Sequence, residues 1–298
     1  MRLFYFNITY RCNSRCIFCA ADHPLLMDSR EMSLDEFCDI LDRNQVGTGD
    51  RVVVNGGEPT VHKDFFAFLN AIKSRGAYID LFTNGMRLAE PEFLDDLLKY
   101  SPMYIRIPLF GASAAVHDKY TNCPGSFDKV VSAIDRLVSV MDKKVFLEIK
   151  MLLSKGTVNQ NEQIFEICRE RWTHPQTLVS LNPLLISRCV IDQEDVFVDS
   201  YTNLMAQSEP LIHKIADSGW RLSIDLMPYC TFPNKELIAL CYGEKILAET
   251  HYSDPAQDRS VDEYQGREKC TGCRYIQVCS GFPRSYLKYM GSAEVRPM

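Results

Sequence analysis

Six short apolar runs, each followed by a turn and a helix-patterned segment, recur along the first 185 residues of the chain. They are "LFYFNIT" (3–9), "DRVVVNG" (50–56), "AYIDLFTNG" (77–85), "MYIRIPLFG" (103–111), "KVFLEIKMLL" (144–153) and "TLVSLNPLL" (177–185). Strands joined through helices pair in parallel, with right-handed crossovers. "MSLDEFCDILDRN" supplies a helix start, with Ser33 as N-cap and Glu36 three residues on. "DFFAFLNAIKSRG" stops at Gly76, a residue suited to the C-terminal turn. "SFDKVVSAIDRLVSVM" puts Val130, Val131, Ile134, Leu137 and Val138 on one face. The fold class is α/β, as an open doubly wound sheet or as a full or partial (β/α) barrel. In either, chemistry sits at the C-terminal ends of the strands.

The 298 residues, 46% hydrophobic, suit one large α/β domain and a small annex. A net charge of −6 disfavours a nucleic-acid partner. No apolar run reaches membrane-spanning length and no signal peptide precedes the first strand, so a cytoplasmic protein without a membrane partner is expected. In that compartment twelve cysteines are metal ligands, reactive thiols or core residues rather than a disulfide framework. After about residue 190 the pattern weakens: a helical segment over roughly 196–218, then "WRLSIDLMPYC", which reads as a strand, then a cysteine-rich tail. A core-poor tail of this kind usually needs a metal to hold it.

"TYRCNSRCIFCA" places Cys12, Cys16 and Cys19 in one loop straight after the first strand. Soft thiolates at this density suit an iron–sulfur cluster or zinc. Three thiolates on a four-iron cube leave one iron open to another ligand; a zinc site would instead need a distant fourth ligand such as His23. After the second strand comes "NGGEPT" (55–60), where Gly56 and Gly57 permit close backbone approach to a ligand and Glu58 offers a carboxylate.

Together, C-x3-C-x2-C after the first strand and Gly-Gly-Glu-Pro after the second resemble the radical SAM superfamily. The aromatic Phe18 before the third cysteine and "FTNG" (82–85) at the third strand's end add to the resemblance. It implies a partial (β/α)6 TIM-like barrel over roughly residues 1–190, within a first domain of 1–220. It implies a 4Fe-4S cluster on Cys12, Cys16 and Cys19, whose open iron takes S-adenosyl-L-methionine (SAM). Asn55, Gly56, Gly57 and Glu58 would then meet the cofactor around its amino group, and Phe18 its adenine. The fourth strand departs from the family's Ser-rich end, reading "IRIPLFG", so Lys150 and Arg188 are the candidates to supply charge to SAM. The implied chemistry is reductive cleavage of SAM to a 5′-deoxyadenosyl radical, fed by a flavodoxin or ferredoxin.

The tail, 221–298, is similar to the SPASM/Twitch extensions of that superfamily, which hold auxiliary 4Fe-4S clusters. Its five cysteines are too few for two such clusters, so one is expected. Cys230, Cys270, Cys273 and Cys279 are the chosen ligands, which leaves Cys241 spare; Cys241 could instead be a ligand, with Cys230 or Cys279 free. A spare thiol facing substrate is a hydrogen-atom donor, which makes epimerisation of a small-molecule or peptide precursor the leading outcome. Two-electron oxidation or peptide crosslinking is the alternative, and a non-catalytic iron–sulfur electron carrier the reading from another class. With eleven residues before Cys12, no leader-binding domain is expected. Cys38, Cys123, Cys168 and Cys189 read as core or surface thiols. His117 and Asp118 are candidates to line the site.

Overall fold

The structure, a computed structural model, describes residues 1–19, 31–240, 248–252 and 269–298. Eight strands form one sheet: β1 (Arg2–Thr9), β2 (Arg51–Gly56), β3 (Tyr78–Phe82), β4 (Tyr104–Leu109), β5 (Phe146–Leu153), β6 (Thr177–Pro183), β7 (Arg221–Ile224) and β8 (Ala248–Tyr252). Their order is β7-β6-β5-β4-β3-β2-β1-β8, and every neighbouring pair is parallel. From β1 to β7 the order follows the sequence without reversal. A doubly wound sheet reverses at a switch point. Right-handed crossovers that never reverse keep their helices on one face, and the sheet coils as a partial barrel.

All six apolar runs are strands, and "WRLSIDLMPYC" supplies β7. β8 comes from a stretch with no regular pattern in the sequence. β7 and β8 both follow residue 220, so the sheet continues across the boundary between residues 1–220 and 221–298 that the sequence suggests.

The longer helices between strands are α1 (Leu34–Arg43), α2 (Phe65–Ser74), α3 (Pro91–Leu98), α4 (Ala114–Thr121), α5 (Ser126–Val140), α6 (Asn161–Arg171) and α7 (Tyr201–Asp217). α1 starts as its sequence dictates: the Ser33 hydroxyl accepts the Glu36 N–H at 3.2 Å. α2 gives way to Gly76 at φ +74°, the left-handed backbone that glycine takes without strain. On α5, Val130, Val131, Ile134 and Leu137 are buried against the sheet. No helix among the described residues is long and apolar enough to cross a membrane.

Strand alternation divides the residues between two faces. Val52 and Val54, Ile79 and Leu81, Ile105 and Ile107, Leu147 and Ile149, and Val179 and Leu181 pack in the main core. Their alternates Arg51, Asp80, Arg106, Glu148 and Ser180 are polar and point the other way, into the barrel. A polar interior beneath the C-terminal strand ends is the feature that most shapes the site.

Candidate active site

The loop carrying Cys12, Cys16 and Cys19 leaves the C-terminal end of β1 and is strapped to the end of α4. Arg15 and Ile17 donate backbone N–H groups to the carbonyls of Thr121 and Tyr120, both at 3.0 Å. The buried Ser14 hydroxyl reaches the Thr121 carbonyl at 3.0 Å. On the apolar side Phe18 anchors the loop. It is 6% exposed and packs edge-on to Phe110 and Phe197, with ring centroids 4.8 and 5.5 Å away. Phe18 therefore holds the loop from behind, and its ring is not on the cavity wall.

Donors surround the thiols. The Ser14 N–H lies 3.4 Å from Cys12 Sγ, the Ser14 hydroxyl 3.3 Å from Cys16 Sγ, and the Asn84 amide 3.8 Å from Cys12 Sγ. Burial pushes the Cys12 thiol up to about 11 and the Cys16 thiol up to about 12, against the pull of these donors. Half-buried thiols of this kind ionise once a cation sits beside them, the condition a metal centre supplies. Three thiols on one cavity, with donors aimed at Cys12 and the Ser14 hydroxyl within hydrogen-bonding distance of Cys16, fit an iron–sulfur cluster.

After β2 the backbone runs against the start of the cysteine loop. The Gly57 and Glu58 N–H groups donate to the carbonyls of Thr9 and Arg11 at 2.7 and 2.8 Å. A methyl group on Gly57 would lie 2.4 Å from the Arg11 carbonyl oxygen and 2.5 Å from that of Tyr10. Gly56, at φ +140°, would put one 2.1 Å from the Thr9 oxygen. Both glycines are required by this close approach. Gly57→Ala is expected to push the cysteine loop off β2, destabilise the fold by about 1–3 kcal/mol, and lower iron retained after gel filtration. Thermal unfolding and iron analysis of the purified variant check both.

Glu58 is fully buried and its carboxylate is already taken. Thr60 donates its hydroxyl at 2.6 Å and its N–H at 3.0 Å, Thr83 its hydroxyl at 2.8 Å, and Asn84 its N–H at 2.6 Å. Burial raises the Glu58 pKa, with these donors opposing it. The side chain clamps the turn after β3 and presents Asn84; its carboxylate faces inward and does not border the cavity. In this structure the Glu58 carboxylate holds the turn one strand over.

The cavity at the strand ends has a volume of about 220 Å³, and Cys12, Cys16, Cys19, Asn55, Gly57 and Lys150 are among the residues that line it. Gly56 lies behind it with Glu58 and Phe18. The side chain of Arg188 and all of Cys241 lie outside the described residues, as does His23. Across the floor runs an ionic ladder. Arg51 lies 3.3 Å from Asp80, Arg106 holds Asp80 in a two-pronged contact at 2.8 and 2.9 Å and also bonds Glu148, and Lys150 meets Glu148 at 3.2 Å and Asn182 at 2.8 Å. Desolvation would raise the Glu148 pKa, but the charges of Lys150 and Arg106 outweigh it and hold the carboxyl well below its ordinary range.

His117 and Asp118 separate. His117 is buried on the cavity wall, accepts the Phe110 N–H at 3.2 Å through Nδ1, and is held neutral by burial, its pKa lowered to about 4. It therefore carries its proton on Nε2. Asp118 instead caps α5, accepting from the N–H groups of Gly125 and Phe127 at 2.6 and 2.8 Å. Sequence reading missed Ser14, Asn84 and Arg106. Asn84 stands in the quoted "FTNG", so a signal existed for it; Arg106 is visible only as a charge at the centre of an apolar strand.

A second, much smaller cavity, of about 20 Å³, lies in the tail and is lined by Cys230, Cys270, Cys273 and Cys279 together. Backbone N–H groups face two of these thiols: those of Tyr229 and Gly281 lie 3.4 Å from Cys279 Sγ, and that of Met298 lies 3.5 Å from Cys273 Sγ. Burial raises the Cys230 thiol, whereas the backbone donors lower that of Cys273. The tail docks through α8 (Arg284–Met290), whose Tyr286 stacks on Tyr201 at 3.9 Å and accepts the Tyr201 N–H at 3.0 Å. Four thiols on one small cavity match the ligand set of a closed four-iron cluster. Cys168 is buried, and Cys38 and Cys123 are half-buried against the main core.

Comparison with known proteins agrees with this geometry. Residues 6–171 match the family model described as the Radical SAM superfamily. Among curated relatives, the mycofactocin maturase MftC of Mycolicibacterium smegmatis is 33% identical over 131 residues, 44% of this chain and 33% of that protein. The AdoMet-dependent heme synthase of Methanosarcina barkeri is 26% identical over 170 residues, 57% of this chain and 47% of that protein. These matches span less than half the length of the relatives. Among solved structures, Streptococcus suis SuiB bound to precursor peptide SuiA superposes with a TM-score of 0.67 at 16% identity, over 99% of this chain and 74% of that one. At that identity the likeness is one of fold, and it runs through the tail as well as the barrel.

Proposed function

The chain belongs to the Radical SAM superfamily, and from that premise we propose that it uses SAM and two 4Fe-4S clusters to abstract hydrogen from an unactivated C–H bond of a peptide or small natural-product precursor. The observation that carries the reading is a pair of thiol-lined cavities in one chain: three cysteines at the barrel mouth and four in the tail. Cys12, Cys16 and Cys19 would hold the cluster that receives SAM, and Cys230, Cys270, Cys273 and Cys279 the auxiliary one. With SAM and a reduced cluster held there, the site would have hydrogen-abstracting radical chemistry available to it.

The chain's own residues orient and enclose. Asn55 and the backbone at Gly57 border the thiols, Asn84 is fixed by Glu58, and Lys150 faces the cavity as the cation for a carboxylate. Arg188 remains a second candidate for that charge. The relatives named for maturation, and the solved relative bound to a precursor peptide, favour a peptide substrate. The division proposed is a barrel segment, 1–220, and an auxiliary-cluster segment, 221–298, whose β7 and β8 extend the barrel sheet. A flavodoxin or ferredoxin in the cytoplasm would supply the electron.

For the outcome, epimerisation with Cys241 as hydrogen-atom donor leads. Four tail thiols already share one cavity, and Cys241 is the cysteine left over. Oxidation by two electrons is the second reading, favoured by that same four-thiol cavity, since a closed cluster is suited to accept an electron. Anaerobic incubation of the iron-loaded protein with SAM and dithionite is expected to give 5′-deoxyadenosine and methionine, with absorbance near about 400 nm from the clusters. Zinc in place of iron, or no SAM cleavage, would overturn the reading. With substrate in hand, unchanged mass means epimerisation, and loss of two hydrogens means oxidation.

A further inference from the structure

We infer that Ser14 is a positioning residue for the thiol loop, and that its hydroxyl hydrogen bond to Cys16 raises the reduction potential of the cluster held there. The inference rests on the proposed reading of Cys12, Cys16 and Cys19 as ligands.

Ser14 is 2% exposed and touches two of the three thiols. Its N–H lies 3.4 Å from Cys12 Sγ and its Oγ 3.3 Å from Cys16 Sγ. The same Oγ lies 3.0 Å from the Thr121 carbonyl oxygen. A hydroxyl has one proton for these two acceptors. While Cys16 is a neutral thiol, its S–H can donate to Oγ, and Oγ donates to Thr121. As a thiolate, Cys16 has no proton to give, and a hydroxyl still turned to Thr121 would set its lone pairs against the sulfur. The stable arrangement turns the O–H to the sulfur.

That rotation would normally strand a buried carbonyl. Here it does not, because Thr121 O also accepts the Arg15 N–H at 3.0 Å. The loop is therefore built so that one rotor serves both states without an orphaned acceptor. Hydrogen bonds to ligand sulfurs favour the more electron-rich, reduced form and raise the potential. Deleting the hydroxyl should lower it, while the backbone N–H to Cys12 is retained.

The test is an EPR-monitored redox titration of the full iron-loaded chain, following the signal that changes when SAM is added. Ser14→Ala is expected to lower the ratio of reduced to oxidised cluster about tenfold at fixed potential, a shift of about 59 mV to the negative for a one-electron couple. Ser14→Thr, which keeps the hydroxyl, should titrate within about threefold of wild type on the same scale. An alanine midpoint equal to wild type at equal iron content would overturn the inference while leaving the proposed function standing. Should the alanine variant load less than half the wild-type iron, the isosteric pair Ser14→Thr and Ser14→Val decides: a valine midpoint about tenfold more negative than that of threonine on the same scale supports the inference, and equal midpoints overturn it. A wild-type protein with no SAM-responsive signal overturns the functional reading itself, and this inference with it.

Discussion

Replacing Cys12, Cys16 and Cys19 together by alanine is expected to lower the iron content from about eight to about four atoms per chain, and to take SAM cleavage to background. The effect is large because, among the described residues, these three are the only cysteines bordering the larger cavity. The fold should survive, for the loop is held by contacts that do not involve sulfur. The Arg15 and Ile17 N–H groups, the Ser14 hydroxyl to Thr121 and the Phe18 ring packing all remain. Circular dichroism should therefore be unchanged while iron and acid-labile sulfide fall by half. The complementary variant, Cys230, Cys270, Cys273 and Cys279 to alanine, should lose the other half and keep SAM cleavage. An initial content of about four irons that falls to none in the first variant would leave the tail holding zinc or nothing. The oxidation route, which needs an acceptor in the tail, would go with it.

The parts of this molecule that the sequence makes legible are those set by local pattern. Valines 52–54 and the alternation in "YIRIPL" declare strands without any knowledge of their neighbours. The spacing of Cys12, Cys16 and Cys19 declares a shared centre because one short loop can turn three side chains to one side. What stays hidden depends on register between strands. Glu58 looks like a free carboxylate until β3 is laid beside β2; only then do Thr83 and Asn84 arrive to fill it. The contacts of the Phe18 ring stay hidden until α4 and the short helix at 194–197 bring Tyr120 and Phe197 against it. β8 has no apolar run of its own to announce it, and it forms by adding to the open edge of β1. Cys230, which lies in a short turn past the end of β7 at Ile224, lines the same tail cavity as the three compact cysteines, while Cys241 lies outside the described residues.

The ladder of charges inside the barrel gives the second large effect. Asp80, Arg106 and Glu148 each sit mid-strand, where the apolar residues on either side face the helices; the charges face one another across β3, β4 and β5. Arg106 is the joint, bonded to Asp80 through Nε and Nη2 and to Glu148 through Nη1. Removing one member of a buried ionic set leaves its partners charged and desolvated, at a cost of about 3–5 kcal/mol. Arg106→Met should fall near the lower figure, because Asp80 keeps Arg51 and Glu148 keeps Lys150. Arg106→Lys should recover only part of the loss, since an ammonium cannot reproduce the two-pronged contact with Asp80. The pH dependence separates this account from simple loss of packing. Glu148 is held below its ordinary range in the folded protein, so its contribution is present above the unfolded carboxyl value of about 4.3 and is lost as pH falls through the lower folded value. Without Arg106, Glu148 loses one of the two cations that hold its pKa down and picks up its proton at higher pH, and a protonated carboxyl needs no cation. The stability gap between wild type and Arg106→Met should therefore be widest near neutrality and narrow on acidification below the unfolded value. Urea unfolding of both proteins at several pH values measures it, and a gap that stays constant with pH would mean that Arg106 stabilises the barrel by filling space rather than by charge.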